Sequence, residues 1–347
     1  GRLLVAYEPE EETIPKLGEP AEAAKKPEEI LTNEELVKEF PEWSVDKIAS
    51  KIGIEQRCIA DMHETSLDMA VKAAEKLFKN NSEIQKNDID FVLFCTQSPD
   101  YVLPTSACII QSQLNLPTTC GALDFNLGCS GYVYGLAMAK GLISSGVAKN
   151  VLLLTGETYS KYLHAQDKSN RTIFGDAASA TIISTTGSAE IKDFSLGTDG
   201  NGANNLIVKT GGARIKEALN DLEYDENSNP ISSDHLYMNG SEIFNFTIDV
   251  VPGLVKNILG NNNLSKEDIS LFVFHQANQY MLNFLRKKMK IDEASFYYYM
   301  KKVGNTVSST IPIALTEAFK EGILHGNVML AGFGVGYSWG GCILEYD

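Results

Sequence analysis

The feature that most limits what this chain can fold into is an internal repeat. The stretch NNSEIQKNDIDFVLFCTQ around Ile89 is matched by NNNLSKEDISLFVFHQA around Ile269. In each, Asn-rich polar residues end a helix, an Asp precedes an Ile, and a short apolar run follows that has the length of a strand buried on both faces. A second pair is GCSGYVYGLAMAKGLI from Gly128 and GNTVSSTIPIALTEAF from Gly304. Each consists of a glycine, one polar residue and a small-residue turn that leads into an apolar helix. The two spacings, Ile89 to Ile269 and Cys129 to Asn305, are 180 and 176 residues. Two offsets so similar indicate a duplicated βα unit rather than coincidence.

Around these matches, amphipathic helices alternate with short apolar strands, the pattern of a layered α/β protein. The periodicity predicts helices over 66–78, with Ala70, Ala73, Ala74 and Leu77 on one face, and over 105–114, just after Pro104. It predicts strands over 91–95, 122–126, 151–155, 178–184, 271–274 and 328–333. The chain accordingly divides into two halves, 1–186 and 187–347. Leu3 to Tyr7 reads as a first strand, whereas residues 8–29 are dominated by Glu, Lys, Ala and Pro and read as a solvated loop or linker.

A chain of 347 residues that is 44% hydrophobic has room for two core-building units. No run approaches the roughly 18 to 20 uninterrupted apolar residues that span a bilayer, and the amino end carries no export signal, so a cytoplasmic location is expected. The six cysteines are scattered without a C-x-x-C pair and read as thiols. A formal charge of −15 disfavours nucleic acid and anionic membranes as partners and leaves small-molecule chemistry. GTDGNGANN and GFGVGYSWG match neither phosphate-loop pattern, and no metal-ligand spacing occurs.

Three residues could carry chemistry. Cys129 lies between a strand and the helix that begins near Gly131, where unpaired N–H groups and the helix dipole favour a thiolate. Judged by its own surroundings, it fits a small buried hydrophobe at a crowded helix start better. His275 projects from the end of the run LFVF, where α/β proteins gather reactive groups, and reads equally as a satisfied core histidine. Asn305 occupies the place of Cys129 in the second repeat. Duplication would bring the two helix starts face to face, although a simple helix cap is an equal reading.

The segments DFNLGCSGYVYGL, IFGDAAS, FHQAN, GNTVSSTIPIAL and GFGVGYSWG, in this order and spacing, closely resemble the β-ketoacyl-acyl-carrier-protein synthase III family of the thiolase superfamily, over roughly residues 30–347. The resemblance implies a thiolase-like α/β fold, with two duplicated βαβαβ-type halves stacked α-β-α-β-α. It implies that Cys129 accepts an acyl group from coenzyme A, and that a malonyl thioester on an acyl carrier protein then loses CO₂ and condenses with it. Cys129, His275 and Asn305 would be the catalytic trio, with the backbone N–H groups of Cys129 and Val335 holding the oxyanion. Val335 stands where many relatives have a small residue. No permanently bound cofactor is implied, only coenzyme A thioesters and phosphopantetheine carriers as substrates.

By the same resemblance Trp43, Lys51 and Asn278 contact coenzyme A. Lys51 keeps the charge of a common Arg but loses its bidentate fork. Lys168 also replaces an Arg, one that can stack on adenine, and Arg171 is the candidate to compensate. Read alone, these are solvated charges, and Trp43 is a packing residue. Leu103 matches a position that reaches across a homodimer and helps set acyl-chain length. Arg286, Lys287 and Lys288, in FLRKKMK, match the helix that docks an acidic carrier, while Tyr280 replaces a basic residue. Two alternatives stay open: an acyltransferase of the same fold with an oxygen, nitrogen or unusual acceptor, and a non-catalytic partner subunit.

Overall fold

The computed structural model describes residues 2–5, 24–25, 27, 29–80, 83–226 and 228–346. In chain order the strands are β1 (Arg2–Val5), β2 (Ala24–Lys25), β3 (Glu29–Thr32), β4 (Gln56–Ile59), β5 (Phe91–Cys95), β6 (Gly121–Phe125), β7 (Val151–Glu157), β8 (Ala177–Ser184) and β9 (Ala189–Thr198). The short β10 (Leu206–Ile207), β11 (Glu223–Tyr224), β12 (Pro230–Ile231) and β13 (Tyr237–Met238) follow, then β14 (Ile269–Phe274), β15 (Gly326–Gly334) and β16 (Ser338–Tyr346). The helices are α1 (Asn33–Glu39), α2 (Val45–Ile52), α3 (Ser66–Asn80), α4 (Ser106–Gln113), α5 (Gly131–Ser144), α6 (Lys168–Arg171), α7 (Gly240–Asn261), α8 (Gln279–Lys288) and α9 (Thr310–Lys320).

The repeat read in the sequence returns as topology. β5 runs parallel to β7, which is antiparallel to β8, which is antiparallel to β1. β14 runs parallel to β15, which is antiparallel to β16, which is antiparallel to β9. On its other side β5 pairs with β6, and β14 has a parallel bridge from Phe272 to Phe296 at the matching place. β1 pairs with both β8 and β9 and joins the two sets into one ladder. Even the entries to the two leading strands agree: Asp88 accepts from the N–H of Gln85, and Asp268 accepts from the N–H of Ser265, each at 2.8 Å. The reciprocal cap ends the preceding turn and launches Ile89 or Ile269 into the core.

Strand alternation sets the layers. Leu93 of β5 and Leu271 and Val273 of β14 share one core with α5 and α9. Both helices are apolar on nearly every face because both faces are covered. Val92 and Phe94 of β5 face the other way, onto α3 and α4. Phe272 and Phe274 of β14 likewise pack on α7 and α8. The order is therefore helix, sheet, helix, sheet, helix, as the resemblance implied. Ala70, Ala73, Ala74 and Leu77 are fully buried.

Some boundaries differ from the sequence reading. Helix α4 begins at Ser106, not Thr105, because Asp124 of the neighbouring β6 accepts from the N–H groups of Ser106 and Ala107 at 2.5 and 2.7 Å and satisfies its first turn. Of the expected first strand Leu3 to Tyr7, Arg2–Val5 is a strand and the remainder lies outside the described residues. Most of the expected linker 8–29 lies outside the described residues. Where it is described it is partly ordered, since Ala24–Lys25 pairs with β8 and Glu29 opens β3. Helix α7 is long and apolar enough to cross a membrane by length and composition alone, yet Val251, Leu254, Val255 and Ile258 pack it against the sheet.

Candidate active site

Cys129 sits in the turn between β6 and α5, two residues before the helix begins. The end of β15 presses on it. A Cβ at Gly332 would lie 2.6 Å from the carbonyl oxygen of Cys129, and one at Gly334 would lie 2.8 Å from its sulfur. Only glycine permits this approach. Cys129 is 7% exposed and packs with Tyr159, Phe174, Leu206, Leu236 and Val307.

The helix start does not make Cys129 a thiolate. Burial pushes the thiol up to about 12, and the nearby Glu157 adds to the shift. The backbone N–H groups of Val335 and of Cys129 itself are directed at the sulfur and act the other way. Desolvation outweighs the partial charge of the helix end because nothing cationic offsets it here. Cys129 is a neutral thiol at pH 7, facing two backbone donors.

His275 follows β14, and its N–H donates to the carbonyl of Ala331 in β15 at 2.8 Å. Its ring stands edge-on to Phe333. Burial lowers its pKa to about 3, so the imidazole is neutral. Nδ1 lies 2.7 Å from the hydroxyl of Thr310, and that hydroxyl is also 3.0 Å from the carbonyl of Val307. Thr310 has a single proton for two acceptors. When it donates to Nδ1, the ring offers Nε2–H as a donor. When it donates to Val307, Nδ1 must carry the proton and Nε2 becomes a base.

Asn305 opens the turn before α9. Its N–H donates to Ile173 at 2.8 Å and its carbonyl accepts from Gly175 at 3.0 Å, which ties it to the IFGDAAS segment. Its Oδ1 accepts from the N–H of Val307 at 3.0 Å, which orients the amide so that Nδ2 remains as the donor. Val307 is held at φ 54, a left-handed value that a β-branched residue rarely adopts. The Asn305 and Thr310 bonds grip it from both sides. β15 thus touches both His275 and the Cys129 loop, and Asn305 lies in the turn that ends at Thr310, the partner of His275.

A cavity of about 1220 Å³ leads toward this centre. Its lining includes Ile173, Leu236 and Met238, which belong to the cluster packed around Cys129. Trp43, Lys51 and Asn278 line it, and Asn278 also caps α8. Lys168 and Arg171 do not. Lys168 is bonded to Glu42, Arg171 is paired with Glu39 at 2.5 Å, and both cations lie over the ring of Phe40. Leu103 lies elsewhere, 79% exposed on the loop before α4. On α8, Arg286 is bonded to Glu293 and Lys288 to the carbonyl of Ile248, while Lys287 is exposed. Among the described residues no group of three or more His, Cys, Asp or Glu is placed to hold a metal, and the six cysteines are free thiols.

Sequence reasoning missed Thr310, Glu157 and Ser308. The one available signal was Glu157 itself, an acid that closes the apolar run VLLLTGE as His275 closes LFVF.

The geometry describes a thiol, an imidazole and an amide donor at the seam of a duplicated five-layer fold. Models of 3-oxoacyl-[acyl-carrier-protein (ACP)] synthase III match residues 123–200, and of its C-terminal region residues 259–346. The β-ketoacyl-[acyl-carrier-protein] synthase III of Caldanaerobacter subterraneus subsp. tengcongensis is 32% identical, over 92% of this chain and 95% of that protein. The one from Clostridium perfringens is 34% identical, over 92% and 96%. A crystal structure of a 3-oxoacyl-(acyl-carrier-protein) synthase III superposes with a TM-score of 0.91 at 47% identity, covering all of both chains. The 3-oxoacyl-(acyl-carrier protein) synthase of Burkholderia xenovorans superposes at 0.85 and 37% identity, covering 93% of this chain and 92% of that one. This chain belongs to the β-ketoacyl-[acyl-carrier-protein] synthase III family, and it is a condensing enzyme, an acyltransferase of thiolase fold.

Proposed function

We propose that Cys129 takes an acyl group from coenzyme A and passes it to a malonyl group carried by an acyl carrier protein. The observation that supports this reading is the direction of the Cys129 and Val335 N–H groups at the sulfur, together with a neutral His275 bonded to Thr310 and an Asn305 amide oriented by Val307 in the turn that leads to Thr310. In the first stage the sulfur attacks the thioester carbon, the two N–H groups hold the oxyanion, and coenzyme A leaves as a thiol with the proton lost from Cys129. In the second, the malonyl C–C bond breaks. CO₂ departs, and the electron pair passes to the thioester oxygen, where Nε2–H of His275 and Nδ2–H of Asn305 stabilise the enolate. Its carbon attacks the acyl-cysteine, and the Cys129 thiolate leaves to give a β-ketoacyl thioester.

Trp43, Lys51 and Asn278 are the substrate contacts this reading favours, since they line the cavity. Lys168 and Arg171 would have to exchange Glu42 and Glu39 for phosphate. Lys287, with Arg286 and Lys288, forms the docking face for an acidic carrier. The two halves, divided near 186, supply Cys129 from one side and His275 and Asn305 from the other. A cytoplasmic homodimer, with Leu103 reaching the partner's channel, completes the reading. No nucleic acid or membrane takes part.

The test is incubation with a panel of acyl-CoA primers and malonyl carrier protein. An acyl adduct on Cys129, absent in Cys129→Ala, together with CO₂ release is expected. No adduct with any primer would overturn the acyl-cysteine reading. An adduct without CO₂ would point to a different acceptor.

A further inference from the structure

Glu157, at the end of β7, is a fully buried carboxyl group that the reaction above does not use. Its two oxygens accept from the Gln97 N–H at 3.2 and 3.1 Å, from the Ser98 hydroxyl at 3.0 Å and from the Ser308 hydroxyl at 3.0 Å. Gln97 and Ser98 follow β5 in the first half. Ser308 lies in the second half, inside the turn from Asn305 to Thr310. Ser308 also reaches the thiol of Cys95, which donates to the carbonyl of Leu127, two residues before Cys129. Nearby, Thr155 bonds Ser309 and Ser130 bonds Ser338, each at 2.7 Å and each across the same seam. Glu157 is the one carboxyl group in this set of crossings, and a hydroxyl pair would serve if only adhesion were needed.

We propose that Glu157 is a positioning residue of the condensation, its carboxyl group holding the Asn305–Thr310 turn against the end of β5 and the loop of Cys129. The titratable groups that sense it are Cys95 after β5, Cys129 before α5, Tyr159 and Tyr162 after β7, and Asp176 before β8. None is cationic. Burial raises Glu157 to about 8, so it is a neutral acid at neutral pH and becomes a buried anion beside Cys129 above that value. Ionisation therefore opposes formation of the thiolate.

The inference rests on Cys129 as the nucleophile, and its test needs no acyl donor. Alkylation of Cys129 by iodoacetamide, followed by peptide mass mapping, reports thiolate formation directly. In the wild-type protein the rate should rise about tenfold per pH unit below pH 8 and flatten above it. Glu157→Gln should rise without the break, and at pH 9.5 should react at least about threefold faster than wild type. Superimposable profiles would overturn the proposal. A second measurement uses Glu157→Leu, which should lose about tenfold or more in CO₂ release while Cys129 acylation falls no more than about threefold, with Glu157→Gln restoring most of the loss. An unchanged ratio of the two rates would equally count against it. If Glu157→Leu does not fold, the alkylation profile of Glu157→Gln decides alone.

Discussion

At the scale of single residues, the chemistry depends on where protons sit. A buried thiol held up to about 12 and an imidazole held down to about 3 are both neutral at pH 7, so neither is pre-ionised for its task. Direction replaces charge, through the N–H groups aimed at the sulfur and the hydroxyl aimed at Nδ1. Thr310→Val removes that hydroxyl and leaves Nδ1 without a partner. We expect CO₂ release to fall of order 100-fold, Cys129 acylation to change little, and Thr310→Ser to stay near wild type. Equal losses in both half-reactions would show that Thr310 acts only on packing. The His275 pKa also sets a dependence of stability on acid. Its folded value lies below the ordinary 6.5, so between about 6.5 and 3 the unfolded chain binds a proton that the folded chain does not. Stability from this residue is complete above 6.5 and is lost as the pH falls toward 3. Denaturant unfolding of wild type and His275→Gln should therefore show a gap in stability that narrows as the solution is taken from pH 7 to pH 4.

At the scale of elements, the site is made by strand ends and the turns that follow them. The end of β15 is the central piece: Gly332 and Gly334 lie on the Cys129 loop, Ala331 and Phe333 fix His275, and Val335 provides a donor. A methyl group at Gly332 has backbone atoms on its far side, at 2.6 and 2.8 Å, which cannot step aside as a flexible side chain would. Gly332→Ala should cost about 1–3 kcal/mol in a denaturant titration. It should also abolish the acyl adduct by lifting β15 from the sulfur. Retention of wild-type stability would mean that this approach is looser than the geometry indicates. At the cavity mouth, Lys168 and Arg171 hold α6 to the end of α1 through Glu42, Glu39 and Phe40. Because exposed ion pairs of this kind are worth about 0–1 kcal/mol, Glu42→Gln should barely change stability. If Lys168 does meet phosphate, the same substitution should lower KM for an acyl-CoA.

At the scale of the whole molecule, one group of exposed apolar side chains lies beside an edge strand. Tyr101, Val102 and Leu103 are 61%, 92% and 79% exposed on the loop before α4, and Leu123 of the edge strand β6 is 46% exposed. An edge strand beside such a loop is a ready surface for a second copy. Sedimentation at micromolar concentration should give a dimer, and Val102→Asp should shift it toward monomer. A wild-type monomer would remove Leu103 from any role in a partner's channel.

Much of this was legible in the sequence because duplication wrote it twice. Two stretches with the same polar ending, the same Asp before Ile and the same apolar run predicted two matching strands; β5 begins at Phe91 as read, whereas β14 begins at Ile269, two residues before the expected start, directly after its reciprocal Asp cap. Duplication also put Cys129 and Asn305 at matching helix starts, with His275 at a strand end, but it was the resemblance to the synthase family that singled out all three. The state of Cys129 was not visible. A helix start is local and argues for a thiolate, whereas the burial that raises its pKa comes from β15 and from Tyr159, Phe174, Leu206, Leu236 and Val307, which lie far along the chain, with the charge of Glu157 adding to it. The pairing of Lys168 with Glu42 and of Arg171 with Glu39 joins segments more than a hundred residues apart, so spacing along the chain holds no trace of it. Local period determined the elements and the three polar side chains. Packing in three dimensions decided their charge and which cations are left to meet a substrate, because desolvation depends on everything that surrounds a group in space.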